Sequence, residues 1–272
     1  MKTPAESPLG KATAYPDRYD ASQLFGIERS AQRAALRLGA VLPFSGVDIW
    51  TAYEINWLDA RGKPQIAIGE FRVGADSPAI VESKSLKLYL GSFAQERVGT
   101  GAELARTIEA DLARVCAAPV AVTLIASPAA MRVSELPGAS IDTVEVTQVE
   151  AREPNAALLA RGTGFAEETL RTALFRSNCP VTGQPDYADV MVRYRGPRID
   201  RGRLLAYLLS YRLHAGFHES CVERMFIDLA LCCGPDQLTV YARFLRRGGI
   251  DINPFRSNFE LAPTRSERTP RQ

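Results

Sequence analysis

A thiol and a carboxylate lie close together in the segment FRSNCPVTGQPDYADV, which covers residues 175–190. Cys179 precedes Asp186 by seven residues, and two prolines and a glycine stand between them. Because proline excludes a helix here, we predict a loop at the end of a strand, where functional residues often gather. A cysteine becomes a nucleophile when a partner takes its proton, and Asp186 is the nearest candidate. The alternative is a buried structural thiol, the usual state of a free cysteine.

A second candidate segment, FHESCVE, contains His218 and Glu219 at the predicted start of a helix. The chain has only two histidines, His214 and His218. A histidine beside a carboxylate can transfer protons near neutral pH. Alternatively, an acidic residue at this position simply suits the dipole of the helix. The spacing leaves both interpretations open.

Two further segments combine cations with groups that can bind a ligand. VESKSLKLYL places Glu82 beside Lys84 at a predicted helix start, where it is either a solvated capping sequence or a carboxylate site. FLRRGGIDINP places two arginines before Gly248 and Gly249, which is either a turn or a phosphate-binding backbone. The chain contains neither GxGxxG nor GxxxxGK[ST], so any nucleotide would be bound outside the Rossmann and P-loop schemes.

Composition excludes several classes of protein. Among 272 residues, 33 Lys and Arg face 31 Asp and Glu, which argues against bulk neutralisation of nucleic-acid phosphates. No apolar stretch approaches the length of a membrane span, and the N-terminal segment has no apolar core typical of a signal peptide. The five cysteines include no CxxC pair, so we expect a reduced, cytoplasmic protein without a structural zinc site. Four of them lie on helical patterns and are predicted to be structural: Cys116, Cys221, Cys232 and Cys233.

The chain repeats one order of elements: strand, strand, helix, helix, strand. Its first copy has predicted strands at 48–58, 64–73 and 118–126 and a predicted helix at 101–116. The order returns in the second half, where the corresponding helix is predicted at 218–233. Residue types repeat as well: the pattern L-x-x-Y-L-x-S-[FY] begins at Leu86 and again at Leu204, an offset of 118 residues. Asp111-Leu112-Ala113 likewise matches Asp228-Leu229-Ala230 at an offset of 117. This indicates an α+β fold with two related modules, each an antiparallel sheet plus two helices.

We predict five segments from this pattern. They are an extended N-terminal arm at 1–45, a first module at 46–130, a linker at 131–160, a second module at 161–260 and a C-terminal tail at 261–272. The first module carries the Glu82 segment and the second carries the Cys179 loop. Because each module lacks the other's distinctive polar residues, we predict one shared site at the module interface.

Four segments in order resemble the NADPH-dependent 7-cyano-7-deazaguanine reductases, the nitrile reductases of queuosine biosynthesis, in their longer two-module form. The segments are SNCPVTGQPD, VESKSLKLYL, FHESCVER and RRGGIDINP. The resemblance covers nearly the whole chain. It implies tandem modules of the tunnelling fold (T-fold), and conversion of a nitrile to an aminomethyl group with two NADPH and no metal. It also implies a homodimer.

The resemblance also implies roles for single residues. Cys179 would attack the nitrile carbon to form a thioimide, Asp186 would transfer protons, and His218 would assist transfer or close the pocket. The expected substrate contacts are Val81, Glu82, Ser83, Phe217, His218 and Glu219. The expected NADPH contacts are Ser83, Lys84, Arg247 and Gly248.

Two other functions compete with this interpretation. A T-fold cyclohydrolase or synthase acting on a pterin-like substrate would need Cys and His as zinc ligands. The chain has only two histidines and no Cys/His pair at a metal-binding spacing, which argues against this function. A non-enzymatic tRNA-binding module is suggested by the basic tail RSERTPRQ and a sequence pI near 8.3, but the near-neutral charge balance weakens it. We expect no direct contact with nucleic acid.

Overall fold

The computed structural model describes residues 15–39, 41–126, 131–146, 151–264 and 267–272. The chain divides into two compact units. The first contains residues 1–35, 47–132 and 246–252, and the second contains 36–46, 133–245 and 253–272. Within the described ranges, no helix is both long and apolar enough to cross a membrane.

The first unit is built on strand β3, which pairs antiparallel with β2 on one side and β5 on the other. In chain order its elements are β1 (Gly26–Glu28), α1 (Ser30–Ala35), β2 (Ser45–Leu58), β3 (Pro64–Gly74), β4 (Ala79–Val81), α2 (Ser83–Gly91), α3 (Gly101–Cys116) and β5 (Val120–Ile125). The first two residues of β2 belong to the second unit. Apolar side chains of the sheet and both long helices form the core, among them Trp50, Phe71, Leu86, Tyr89, Leu104 and Ile108.

The second unit repeats this arrangement around β9, which pairs antiparallel with β8 and β10. Its elements, with the short strands around them, are β6 (Arg132–Val133), β7 (Ala139–Ser140), β8 (Arg161–Asn178), β9 (Pro185–Ile199), α4 (Arg201–Leu209), α5 (His218–Cys233), β10 (Gln237–Phe244), β11 (Ile250–Ser257) and β12 (Glu267–Arg268). A 3-10 turn at Ser210–Leu213 extends α4. The residues of β11 from 253 onward belong to this unit and pair with β10.

The residues that repeat in the sequence make equivalent hydrogen bonds in the two units. The hydroxyl of Tyr89 donates to Asp111 at 2.7 Å, and that of Tyr207 donates to Asp228 at 2.7 Å. In the same way, the Ser92 hydroxyl donates to the carbonyl three residues before it, and so does that of Ser210, both at 2.6 Å. The predicted helices at 101–116 and 218–233 are confirmed, and both end in a left-handed residue.

The N-terminal residues differ from the extended arm predicted at 1–45. Residues 1–14 lie outside the described residues, but a 3-10 turn, β1 and α1 follow within 21–35. β1 pairs with β4, and Ile27 is buried. A few single apolar residues anchor this polar segment to the first unit. Because they follow no periodic pattern in the sequence, the ordered elements of this segment were not predicted.

The predicted linker and tail also belong to the second unit. Within 131–160, apart from 147–150 outside the described residues, β7 pairs in parallel with β8, and Leu136 and Ile141 are buried. Within 261–272, where 265–266 lie outside the described residues, Arg271 pairs with Asp189 and Gln272 is buried. The second module therefore extends beyond 161–260, while 246–252 joins the first unit.

Candidate active site

The thiol lies at the start of the turn that joins β8 to β9. The Cys179 N–H donates to the Gln184 carbonyl at 2.8 Å, and the Gly183 N–H donates to the Cys179 carbonyl at 3.0 Å. Gly183 has φ 68°, a left-handed conformation that glycine adopts without strain. The Cys179 side chain is 3% exposed. The predicted loop at a strand end is thus a tight hairpin turn that holds the thiol in a buried position.

The residue before the thiol connects this turn to the entry of helix α5. The Asn178 N–H donates to the His214 carbonyl at 2.8 Å, and the Gly216 N–H donates to the Asn178 carbonyl at 3.0 Å. These two bonds place residues 214–216 beside the end of β8. Since α5 begins at His218, its first turn is brought to the thiol hairpin.

Asp186 lies opposite the end of β8, as the second residue of β9. Its register partner is Ser177, so the two side chains share one face of the sheet. Cys179 lies two residues after Ser177, and its backbone N–H bonds to the Gln184 carbonyl. The Cys179 side chain is therefore on the same face of the sheet as those of Ser177 and Asp186. Asp186 is 4% exposed, and its Oδ2 lies 3.3 Å from Nε2 of His218. The hairpin therefore brings together the thiol segment and carboxylate that the prolines separate along the chain.

The His218 ring is fixed by stacking as well as by Asp186. It lies parallel to the Phe244 ring, with centroids 3.7 Å apart and planes at 1°. Its Nδ1 is buried and has no hydrogen-bond partner among the residues that the structure describes. One ring nitrogen thus faces a carboxylate, while the other has the capacity to exchange a proton or hydrogen bond with a ligand. Phe244 was not predicted, because an aromatic residue at the end of a strand looks like any core residue.

The other predicted residues of this segment lie beside His218. Glu219 is buried in the first turn of α5, where the helix dipole favours its charge, and Phe217 is the half-buried residue before the helix. Cys221 is buried nearby. Burial raises the pKa of its thiol to about 12; the Ser177 hydroxyl opposes that rise, and the charges of Asp186 and Glu219 add to it. A thiol held protonated is a poor nucleophile, which favours Cys179 over Cys221.

In the first unit, Glu82 is a buried N-cap rather than a solvated one. Its carboxylate accepts the N–H of Lys84 at 2.7 Å and that of Ser85 at 2.8 Å, and it is 2% exposed. Val81 ends β4 directly before it, and Ser83 begins α2 directly after it. Each carboxylate oxygen has a second acceptor position, so the cap and a ligand contact are compatible.

Gly248 and Gly249 form a two-residue hairpin turn between Arg247 and Ile250. The Arg247 N–H donates to the Ile250 carbonyl at 2.9 Å. Both glycines have positive φ, 59° at Gly248 and 82° at Gly249, as a type I′ turn requires. The Gly249 carbonyl accepts the Tyr53 N–H at 2.9 Å, at the irregularity where the pairing of β2 with β3 shifts register. A bulge in β2 thus holds the turn in place.

This turn lies against helix α2 and carries cations on its surface. A Cβ added at Gly248 would lie 3.2 Å from Cδ and Cε of Lys87, so glycine permits the close approach. The Arg246 guanidinium lies 4.3 Å from the centroid of the Tyr53 ring, a cation–π contact. Lys87 and Tyr53 were not among the predicted site residues, because only the folded chain brings them to the turn.

The structure therefore brings the predicted residues together as two groups, one in each unit. The second unit holds Cys179, Asp186, Phe217, His218 and Glu219, and the first holds Val81, Glu82, Ser83, Lys84, Arg247 and Gly248. Among the described ranges, no group of three or more His, Cys, Asp or Glu side chains is arranged to hold a metal ion.

Two family models match the chain. Residues 15–124 match the family described as "Nitrile reductase, 7-cyano-7-deazaguanine-reductase N-term", and residues 185–262 match the "QueF-like protein" family. Both matched ranges include residues of the groups described above.

Curated proteins resemble the chain along nearly its whole length. The NADPH-dependent 7-cyano-7-deazaguanine reductase of Bordetella pertussis is 53% identical over 271 residues, covering 98% of this chain and 99% of that protein. The protein of the same name from Paraburkholderia phytofirmans is 51% identical over 274 residues, covering 99% of this chain and 100% of that protein. The one from Burkholderia vietnamiensis is 50% identical over 274 residues, covering 99% of each.

Proposed function

Because the chain belongs to the family of NADPH-dependent 7-cyano-7-deazaguanine reductases, we propose that it reduces the nitrile of 7-cyano-7-deazaguanine to an aminomethyl group through a thioimide at Cys179. The chain is thus an NADPH-dependent nitrile oxidoreductase. Its place would be in the queuosine modification of tRNA, acting on the free base and not on nucleic acid. The repeated strand and helix order supports tandem T-fold modules, and the family resemblance supports a homodimer.

One observation carries the mechanism: the buried hairpin that holds the Cys179 thiol and the Asp186 carboxylate on one face, with His218 on the carboxylate. Asp186 takes the thiol proton, and the sulfur forms a bond to the nitrile carbon as one C≡N π bond breaks. The proton passes to the nitrile nitrogen, which leaves a neutral thioimide. A carboxylate buried beside its partner suits this two-way transfer, because solvent does not compete for the proton.

His218 is suited to hold Asp186 in position and to exchange a proton. Its contact with Asp186 and its stacking on Phe244 fix the ring, while Nδ1 remains available to a bound ligand. The proton released or required at nitrogen during the later steps would pass through this ring. The carbon–sulfur bond would break only after the thioimide carbon has received the first hydride and its nitrogen a proton: nitrogen then forms the C=N bond of an imine while a proton passes from nitrogen to sulfur and returns the thiol.

The deazapurine base would be held by carboxylates and an aromatic ring. Glu82 and Glu219 are both buried, and a carboxylate is the natural acceptor for the ring N–H and the exocyclic amine of a guanine-like base. Phe217 is half-buried next to His218 and offers a ring for stacking. Val81 and Ser83 flank Glu82 and complete the expected contacts.

The first unit has groups that fit NADPH. Without a side chain, Gly248 would let the backbone of the turn approach the cofactor closely. Lys84 and Arg247 would supply positive charge for the phosphates of NADPH, and the Ser83 hydroxyl would donate a hydrogen bond. Lys87, in contact with the glycine turn, adds a cation to this set. When bound, NADPH supplies one hydride to the thioimide carbon and a second to the imine carbon.

The test is turnover. The purified protein is mixed with 7-cyano-7-deazaguanine and NADPH, and the absorbance of NADPH is followed together with formation of the amine by chromatography. The proposal expects two NADPH oxidised for each amine formed. Folded protein that oxidises no NADPH in the presence of this nitrile would rule it out.

A further inference from the structure

Strand β10 carries a buried cation on the side of the sheet opposite to His218. Successive side chains of a strand point to opposite faces, and Phe244 faces His218. Arg243, the residue before it, therefore points to the other face. There it lines a cavity of about 430 Å³ within the second unit. This cavity, referred to below as the Arg243 cavity, has no part in the proposed reaction.

Among the residues that the structure describes, no carboxylate pairs with the guanidinium of Arg243. Its side chain is 4% exposed, and its Nε donates to the Tyr241 hydroxyl at 3.3 Å. The guanidinium also lies 5.3 Å from the centroid of the Tyr241 ring. Its Nη1 is buried with no hydrogen-bond partner, and no carboxylate among the described residues forms an ion pair with it. A buried charge without a counter-charge is costly, so this arrangement points to an absent anion.

The nearby carboxylates are engaged elsewhere. Asp189 is the cross-strand register partner of Arg243 on β9, but it pairs with Arg271. Glu260 accepts from Arg193 at 2.7 Å and from the Thr239 hydroxyl at 2.6 Å. The Ser134 hydroxyl donates to Glu267. Within the described ranges, Arg243 is therefore the one cation lining the cavity that no carboxylate neutralises.

We propose that the Arg243 cavity binds a small organic monocarboxylate. One uncompensated guanidinium matches a single negative charge, and Nη1 is the donor that would meet it. Arg193 is neutralised by Glu260, and Glu267 also lines the cavity, so the site disfavours a dianion such as phosphate. The rest of the wall is largely apolar and suits a hydrocarbon body: Leu136, Pro137, Met191, Phe255, Leu261 and Pro263. The volume is within the range of small-molecule sites.

The experiment measures binding of benzoate to the full chain by calorimetry, with no substrate or NADPH present. Benzamide, the neutral analogue, and inorganic phosphate are the comparison ligands. The parent protein is expected to bind benzoate and to bind the other two much more weakly. Arg243→Gln is expected to weaken benzoate binding by about 10- to 100-fold, the loss typical of a charged hydrogen bond. Because the readout is binding, it does not depend on whether the chain reduces nitriles.

Arg243→Gln removes a buried unpaired charge, so it is expected to unfold at no lower temperature than the parent when no anion is present. A second measurement needs no variant: crystals of the parent grown with 4-bromobenzoate should show the bromine anomalous signal in the Arg243 cavity. Equal binding of benzoate and benzamide, or a bromine signal only elsewhere, would overturn the proposal. It would also fail if Arg243→Gln lowered the oligomeric state and benzoate did not bind, since the cation would then serve a contact between copies.

Discussion

The buried pair of Asp186 and His218 determines where protons can go in the proposed reaction. Asp186 shares a face with Ser177 and the Cys179 position, and His218 is fixed between that carboxylate and Phe244. The neighbouring thiol of Cys221 has a pKa raised to about 12 by burial, so it stays protonated where Cys179 is proposed to react.

Replacing Asp186 with asparagine should lower turnover by at least about 100-fold, because the amide keeps the shape of the carboxylate but cannot take the thiol proton. The measurement is the steady-state rate of NADPH oxidation with the nitrile substrate. Asp189→Asn is the matched control, since Asp189 lies on the same strand and pairs with Arg271. Equal loss in both variants would mean that Asp186 acts through the fold and not through proton transfer.

At the scale of elements, each unit places its polar residues at the ends of strands and at the first turn of a helix. Glu82 caps α2 and Asp200 caps α4, at positions that correspond in the repeat. The glycine hairpin turn is held by a bulge in β2 and lies against Lys87. The duplicated design therefore supplies internal controls for residues proposed to bind ligands.

Removing either cap, by Glu82→Ala or Asp200→Ala, should lower the free energy of unfolding by about 1 kcal/mol, since both leave helix N–H groups without an acceptor. Urea denaturation measures this loss. Only Glu82→Ala should also weaken binding of 7-cyano-7-deazaguanine. Substrate binding reduced to the same degree in both variants would show that Glu82 is a cap alone.

Alanine substitutions at the two glycines of the hairpin turn distinguish an effect of backbone strain from an effect on ligand binding. Both have positive φ, so alanine at either should cost about 1–2 kcal/mol of stability. Only Gly248→Ala adds a Cβ against Lys87, since no atom lies within 4 Å of the position at Gly249. Gly248→Ala should therefore raise KM for NADPH several-fold, while Gly249→Ala leaves it near the parent value. A KM for NADPH that stays at the parent value in both variants would place NADPH away from this turn.

Across the whole molecule, burial of neutral acidic groups links stability to alkaline pH. Burial holds the pKa of Tyr207 and Tyr211 well above the usual value and raises that of Cys221 from 9.0 to about 12. A group whose folded-state pKa is raised adds stability below its unfolded pKa and loses it as pH rises through the folded one. The folded state should therefore lose stability between about pH 9 and about pH 12.

Cys221→Ala should make this alkaline loss smaller, because one of the raised groups is removed. Urea denaturation of the variant and the parent near pH 8 and near pH 11 gives the change in the free energy of unfolding for each. Cys232→Ala is the control, since Cys232 is exposed and partial burial raises the pKa of its thiol less than that of Cys221. If Cys221→Ala lost as much stability between the two pH values as the parent does, burial of this thiol would not contribute to the pH dependence.

Periodic features of the fold were predictable and isolated ones were not. The amphipathic helices at 101–116 and 218–233 and the strands β2, β3, β5, β9 and β10 follow from apolar spacing. Strand β11 was missed because it buries polar side chains on specific partners. Asp251 accepts from the Tyr53 hydroxyl at 2.6 Å, and Arg256 donates to Glu223 at 2.9 Å. Sequence patterns do not reveal such long-range pairs.

The same division holds for the candidate site. A loop at Cys179 was predicted because prolines exclude a helix there, and His218 because histidines are rare in this chain. Phe244 and Lys87 were missed, since their importance comes from contacts between elements distant in sequence. The residue types thus indicated the chemistry, while the partners that orient them required the folded chain.

The most direct test of the account is whether Cys179 forms a bond to the nitrile carbon. The protein is incubated with 7-cyano-7-deazaguanine in the absence of NADPH, and its intact mass is measured, followed by peptide mapping. The account predicts that the parent gains the mass of one substrate on the peptide containing Cys179, and that Cys179→Ala gains none while Cys221→Ala still does. An adduct that persists in Cys179→Ala, or one located on Cys221, would contradict it.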